Sequence, residues 1–187
     1  MGQPVLRTAR LLLEPLADAH RESEVALDAD PEVMRFLGDG RPRTRQQVLA
    51  RHAERLAIAV DAPGLGFWAG SLDGEVVGWW HLKPPQRPDQ GPPVGQAELG
   101  YRLARRHWRR GLATEGSREL LRYAFTDLGL HRVSAETMAV NVASRATMAG
   151  LGMTHVRTFH PAWADPIPGA EQGEVEYAIT REAWLAG

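Results

Sequence analysis

The densest chemistry in this sequence lies between Glu98 and Glu115. There, Glu98-Leu-Gly-Tyr101 is followed, after a short gap, by Trp108-Arg-Arg-Gly-Leu-Ala-Thr-Glu115. The pattern reads as a strand, a glycine-containing turn and the opening of an amphipathic helix. The first amides of a helix have no partner inside it, so they can grip an anion. Gly111 and Ala113 are small enough to let a phosphate reach the backbone, and Arg109 and Arg110 add positive charge. Two other phosphate sites are excluded. No G-x-x-x-x-G-K-[ST] run occurs, and no G-x-G-x-x-G follows a strand. On these residues alone, a basic loop ahead of a helix is the simpler reading of Arg109-Arg110-Gly111, because short glycine motifs are common.

Other residue types bound the chemistry from outside. The chain has no cysteine, which removes disulfides, thiolate metal sites and a cysteine nucleophile. Seven histidines lie scattered with no H-x-x-x-H pair, so no metal is expected. Net charge is -1 and Lys83 is the only lysine. The run Arg102, Arg105, Arg106, Arg109 and Arg110 is therefore a poor case for nucleic acid, and anchoring a ligand's phosphates explains the nearest of these arginines better. Hydrophobic residues make up 43% and charged residues 24% of 187, ordinary for one globular domain spanning 1–187. No apolar run is long enough for a membrane span, and the N-terminus lacks a signal-peptide pattern, so the expected compartment is the cytoplasm.

The elements that must position these residues follow from period and punctuation. Residues 7–16 read as one apolar strand, and Asp18 caps a helix to Leu27. Asp30-Pro31 opens a short helix to Leu37, and Thr44-Arg-Gln-Gln47 is a capping-box start for the next one, with Val48, His52, Arg55 and Ala59 on one face. A hairpin turns at Asp73-Gly74 between 67–72 and 75–82. The proline-rich segment 84–95 is a loop, 97–103 a strand, and a helix runs from Gly111 until Gly129 stops it. Residues 132–138 form a buried strand, 142–151 a helix, and 154–160 and 174–180 the closing strands around a second loop, 161–173. The order predicts a single-domain mixed α/β fold, its sheet mostly antiparallel and flanked by helices.

A second motif, Asn141-Val-Ala-Ser144-Arg-Ala-Thr-Met148-Ala-Gly-Leu151, follows the strand His131–Met138. With it the chain resembles the GNAT superfamily of acetyl-CoA-dependent N-acetyltransferases, and within it the Rim-type branch that acetylates ribosomal-protein N-termini. The likeness runs from Thr8-Ala-Arg-Leu-Leu-Leu13 and Asp30–Leu37, through Glu98–Tyr101 and Gly111–Glu115, to Tyr177–Trp184. It implies a splayed central strand pair, 97–103 against 132–138, with the donor's pantetheine arm in the slot. It also implies donor contacts from Leu103, Arg109, Arg110, Gly111, Leu112, Ala113, Thr114, Asn141 and Ser144. The sequence departs from the superfamily at Arg109, where a glycine is common, and at Ala149-Gly150. It departs again at Met148, where many members carry a thiolate-protonating tyrosine.

That last departure leaves Ser144 as the Rim-type acid, or simply as a first-turn residue behind the Asn141 cap. Glu98 is the candidate base or, since strands alternate faces, a surface carboxylate. An α-amine with a pKa of about 7.7–8.0 needs only a water-relayed carboxylate. The expected partners are acyl-CoA and an amine acceptor, with neither nucleic acid nor membrane; a homodimer is left open. The acceptor is a protein N-terminus or a small-molecule amine such as an antibiotic or polyamine. The donor acyl group is acetyl or succinyl, and a non-catalytic acyl-CoA sensor is the competing class. Of the aromatic residues, Trp68, Trp79 and Trp80 are expected in the core, and Trp163 at the acceptor.

Overall fold

The computed structural model describes residues 2–163 and 165–187. The apolar run near the N-terminus does not form one strand. It breaks into β1 (Leu6–Arg7) and β2 (Leu12–Pro15), paired antiparallel. The cause is local. Thr8 Oγ1 accepts from the Leu11 amide at 2.8 Å, and Glu115, on a distant helix, takes the Arg10 amide at 2.9 Å. Donors that a continuous strand would offer a neighbour are used up in the turn.

A 3-10 turn (Asp18–His20) leads into α1 (Arg21–Asp28). The next helix, α2 (Pro31–Met34), has the expected Asp30 cap but ends before Leu37, whose amide closes a turn onto Met34 O at 2.9 Å. α3 (Arg45–Asp61) opens with the expected capping box between Thr44 and Gln47. The hairpin β3 (Gly66–Leu72) and β4 (Glu75–Lys83) turns through Asp73 and Gly74, with φ of 51° and 83°. That is the left-handed pair a two-residue hairpin needs.

After β5 (Gln96–Leu103) comes α4 (Leu112–Arg122), which widens into a π turn (Tyr123–Asp127) instead of running regularly to Gly129. The Thr126 hydroxyl takes the Arg122 carbonyl at 2.7 Å, competing with the amide that would continue the α ladder. Then follow β6 (Arg132–Met138), α5 (Val142–Gly150), β7 (Thr154–Phe159) and β8 (Glu174–Thr180). A last helix, α6 (Arg181–Ala186), is capped by Thr180; its six residues are too short to show a helical period in sequence.

The eight strands form one sheet in the order β1-β2-β3-β4-β5-β6-β8-β7, antiparallel everywhere except between β5 and β6. One face packs under α4 and α5 through Trp68, Trp80, Leu99, Leu120, Phe125 and Val133. Trp80 is fully buried, and a Cβ on Gly116 of α4 would stand 2.5 Å from its ring. A mid-helix glycine costs about 1 kcal/mol in propensity, and here it is what lets α4 seat on the indole. The other face packs under α1–α3 through Leu16, Leu27, Val33, Phe67, Ala69 and Trp79. The three tryptophans are core, as expected.

The inward face of α3 carries Val48, His52 and Arg55, so two of its three buried side chains are polar. Two buried carboxylates of α1 explain this. Glu24 bonds His52 and Arg55, while Asp28 bonds Arg102 of β5 and lies 3.5 Å from Arg55. Arg55 and Arg102 also lie 5.0 and 4.7 Å from the Trp79 ring. Buried charges are tolerated only when paired in this way. Among the described residues no helix is long and apolar enough to cross a membrane, and no cluster of His, Cys, Asp or Glu is suited to a metal ion.

Candidate active site

The parallel ladder between β5 and β6 is short. It joins Gln96 to Arg132, Ala97 to Val133 and Glu98 to Ser134, and no pairing continues beyond Glu98. The two strands diverge from that point, leaving the outer backbone of β5 from Leu99 to Leu103 facing an open slot toward β6. Glu98 stands at the apex of the slot. Leu103 is at its wide end, where its carbonyl accepts from the Trp108 indole at 2.8 Å.

At the wide end the chain turns into α4. Arg109 and Gly111 both take left-handed φ, 59° and 76°. Gly111 is the N-cap and supplies no side-chain cap, in contrast to Asp30, Thr44, Asn141 and Thr180 at the starts of α2, α3, α5 and α6. The amides of Leu112, Ala113 and Thr114 make no hydrogen bond among the described residues; the first α4 bond runs from Glu115 N to Gly111 O at 3.0 Å. Three aligned donors at the positive end of a helix can seat an anion. Arg110 leans on His107 Nδ1 at 3.1 Å, and Arg105 and Arg109 are exposed. Arg102 and Arg106 pair with Asp28 and Glu75, so the arginine run is not one basic surface.

Strand alternation separates the remaining polar groups. Ala97, Leu99, Tyr101 and Leu103 face the α4 side, whereas Glu98 and Arg102 face the α1–α3 side. On the α4 side the Tyr101 hydroxyl lies 3.1 Å from Ser144 Oγ and 3.2 Å from Ser144 O, bridging β5 to α5 across the slot. Burial raises the Tyr101 pKa against the lowering effect of its Ser144 hydrogen bond, so the phenol stays protonated. The sequence pointed to Ser144 and missed Tyr101, because the partners are 43 residues apart. Met148 is buried in the core. The Asn141 side chain is engaged at both ends, accepting from Ser144 N at 3.3 Å and donating to Thr137 Oγ1 at 3.0 Å.

Glu98 is not a loose surface carboxylate; its side chain is 14% exposed. Gln90 Nε2 donates to it at 2.8 Å, Lys83 Nζ lies 3.2 Å away and His81 Nε2 3.9 Å away. Burial raises its pKa, but His81, Lys83 and Gln90 together outweigh this and hold it at about 2. His81 is itself buried, which lowers its pKa. Both His81 ring nitrogens lack a hydrogen-bond partner among the described residues. The ring lies over Gly100, where a Cβ would meet it at 2.3 Å.

Further along this face Glu136 is held by Arg87 at 2.7 Å and by Gln90 at 3.3 Å. Glu174, level with Met138, makes no hydrogen bond or ion pair among the described residues; burial and the charges of Glu136 and Glu98 raise its pKa. Loop 84–95 reaches the site through the buried Gln90. Loop 161–173 places Trp163 and Ile167 against Met138 and Phe36, with the Trp163 indole N–H unpartnered among the described residues. A cleft of about 760 Å³ lies elsewhere, between α1 and β4, and none of Glu98, Tyr101 and Ser144 lines it.

The sequence and the fold have counterparts in known proteins. A family model described as an acetyltransferase (GNAT) domain matches residues 10–154. The FsC-acetyl coenzyme A-N(2)-transacetylase of Aspergillus fumigatus is 48% identical over 186 residues, covering 98% of this chain and 79% of that protein. Among solved structures, RimL, a ribosomal-protein alpha-N-acetyltransferase in complex with coenzyme A, superposes with a TM-score of 0.79 over 96% of this chain and 99% of its own, at 14% identity. Spermidine N-acetyltransferase from Vibrio cholerae, in complex with CoA and spermine, gives 0.75 over 95% and 99%, at 16% identity. At such identities the two structures speak for the fold alone.

Proposed function

The chain belongs to the GNAT acetyltransferase family and is an acetyl-CoA-dependent N-acetyltransferase acting on an amine; on that premise we propose that its acceptor is FsC, acetylated at N(2), the acceptor in the name of its 48% identical relative. That relative carries the reading, because its similarity extends over 98% of the chain and so includes the loops that shape the acceptor side. The carboxylates on that face suit a cationic amine: Glu98 at the apex, Glu136 beside it, and further out Glu174, unpaired among the described residues.

The donor reading rests on the uncapped α4 start beside the slot. The amides of Leu112, Ala113 and Thr114, with Gly111 open above them and Arg109 and Arg110 around them, hold the pyrophosphate. The backbone of β5 beyond Glu98 that does not pair with β6, short of the Leu103 carbonyl that Trp108 occupies, takes the pantetheine arm. Asn141 reaches that arm by exchanging its Thr137 bond, and its present bonds keep α5 and Ser144 in place.

The reaction is direct attack of the neutral amine on the thioester carbonyl in a ternary complex. The N–C bond forms, the C–S bond breaks, the amine's proton leaves through water and the thiolate takes a proton. Glu98, lowered to about 2, is ionised at neutral pH and a weak base. Its part is to hold the ammonium and the water that receives the proton. Tyr101, with Ser144 hydrogen-bonded to it, protonates the leaving sulfur from the opposite face of β5.

The test is thiol release from acetyl-CoA and from succinyl-CoA with three acceptors: FsC, spermidine and a peptide with a free N-terminus. Turnover with FsC and acetyl-CoA exceeding the others by at least about 10-fold supports the reading. Preference for the peptide makes the chain a protein N-terminal acetyltransferase. Coenzyme A binding without thiol release from any acceptor makes it a sensor.

A further inference from the structure

The Thr8-Ala-Arg10 segment has no part in the reaction as described, yet it is tied to the donor turn by four contacts onto one carboxylate. Glu115 Oε1 lies 2.5 Å from Thr8 Oγ1 and 2.9 Å from the Arg10 amide, and Oε2 lies 2.7 Å from Arg10 Nε and 2.6 Å from Nη2. Glu115 is the fourth residue of α4, one turn from the anion seat. Burial raises its pKa, but the bonds from Thr8 and Arg10 outweigh that and keep it ionised.

A carboxylate beside a phosphate site repels the ligand unless it is neutralised. Arg10 does this and reaches further. Its Nη2 stands 3.6 Å from the point where a Cβ on Gly111 would sit, above the residue that opens the turn. Its side chain is 45% exposed, and Nη1 makes no hydrogen bond among the described residues. The Nε–Nη2 edge of the guanidinium is locked to Glu115, and Nη2, which carries a second N–H, is also the arginine atom nearest Gly111. Such a fork can give a fixed, charge-assisted bond to a phosphate oxygen.

We propose that Arg10 is a phosphate-binding residue of the acetyl-CoA site, delivered from the β1–β2 turn, and that Glu115 is the positioning residue that aims it. This rests on the 109–114 turn being the donor seat. It also accounts for the break in the N-terminal strand, since the turn at residues 8–11 is what carries Arg10 to α4.

The experiment measures binding by calorimetry, without an acceptor, for coenzyme A and for pantetheine, which lacks the phosphates. Arg10→Ala keeps the backbone and Thr8 contacts to Glu115, so the fold is retained, and a thermal melt checks it. Coenzyme A affinity should fall about 10-fold or more while pantetheine binding stays unchanged, and Arg10→Lys should restore part of the loss. Glu115→Gln should weaken coenzyme A binding by about 3-fold to 10-fold in the wild type, whereas on top of Arg10→Ala it should cause no further loss and restore part of the affinity by removing the unneutralised carboxylate. Unchanged coenzyme A binding in Arg10→Ala, or equal losses for coenzyme A and pantetheine, overturns the proposal. If Gly111→Val also binds coenzyme A normally, the donor seat itself is misplaced; if Gly111→Val fails to bind while Arg10→Ala binds fully, only the role of Arg10 is lost.

Discussion

Replacing Gly111 tests the donor seat most directly, because the structure separates its two effects. The residue has φ of 76°, where any side chain costs about 1–2 kcal/mol, so both Gly111→Ala and Gly111→Val should lower the melting temperature without unfolding a domain of ordinary stability. Space distinguishes them. A Cβ there meets only Arg10 Nη2, at an ordinary 3.6 Å, so alanine strains the backbone and leaves the seat partly open. The γ-methyl groups of valine project over the amides of residues 112–114 and hold a phosphate away from them. Losing two charge-assisted bonds at about 1.5–3 kcal/mol each removes about 3–6 kcal/mol of binding, or ~10²–10⁴-fold in Kd. Calorimetry with coenzyme A, on protein shown to be folded by circular dichroism, reads both variants. Alanine should lose less than about 10-fold, and valine the full amount. A folded Gly111→Val protein whose Kd stays within about 3-fold of wild type would falsify the assignment of the anion seat.

Glu98→Gln is expected to raise KM for the amine and to move the rising limb of the rate to lower pH, because an ionised neighbour stabilises the ammonium; a limb that moves upward makes Glu98 the base instead. Since Glu98 falls from 4.5 to about 2 on folding, its stabilising effect is present above about pH 4.5 and lost toward pH 2, so acid melts of the Gln variant should be flatter across that window. Tyr101→Phe should reduce kcat by about 10²-fold with little change in KM, and Ser144→Ala should cost less, since the thiolate is already a fair leaving group. Near-full turnover in both variants, measured by thiol release, removes them from proton transfer. Gly116→Ala forces a methyl group against the buried Trp80 indole and should destabilise the fold by about 1–3 kcal/mol in urea unfolding, with coenzyme A affinity changed little; an unaffected midpoint contradicts the packing of α4 on β4.

Much of this protein was determined by short-range chemistry and could be read from residue order. Thr44 with Gln47, and Asp30 with Pro31, mark helix starts because a cap acts over three residues. Asp73-Gly74 marks the hairpin because two left-handed positions in a row admit few residues. Gly111 could be recognised as a glycine opening a helix for the same reason, and Glu98 as a carboxylate on the strand before it. The break in the N-terminal strand and the π turn after Arg122 could not be read. Each depends on a side chain, Glu115 or Thr126, taking a backbone group that regular structure would have used. The site's pairings were equally hidden. Tyr101 meets Ser144 across 43 residues, Arg10 meets Glu115 across 105, and Glu98 meets Lys83 from the next strand. Alternation along β5 places Glu98 and Tyr101 on opposite faces, but what each face meets depends on which helix covers it. Hence the charge state of Glu98 was decided only by tertiary structure: desolvation and Coulomb interaction depend on distance through space, and the sequence orders residues only along the chain.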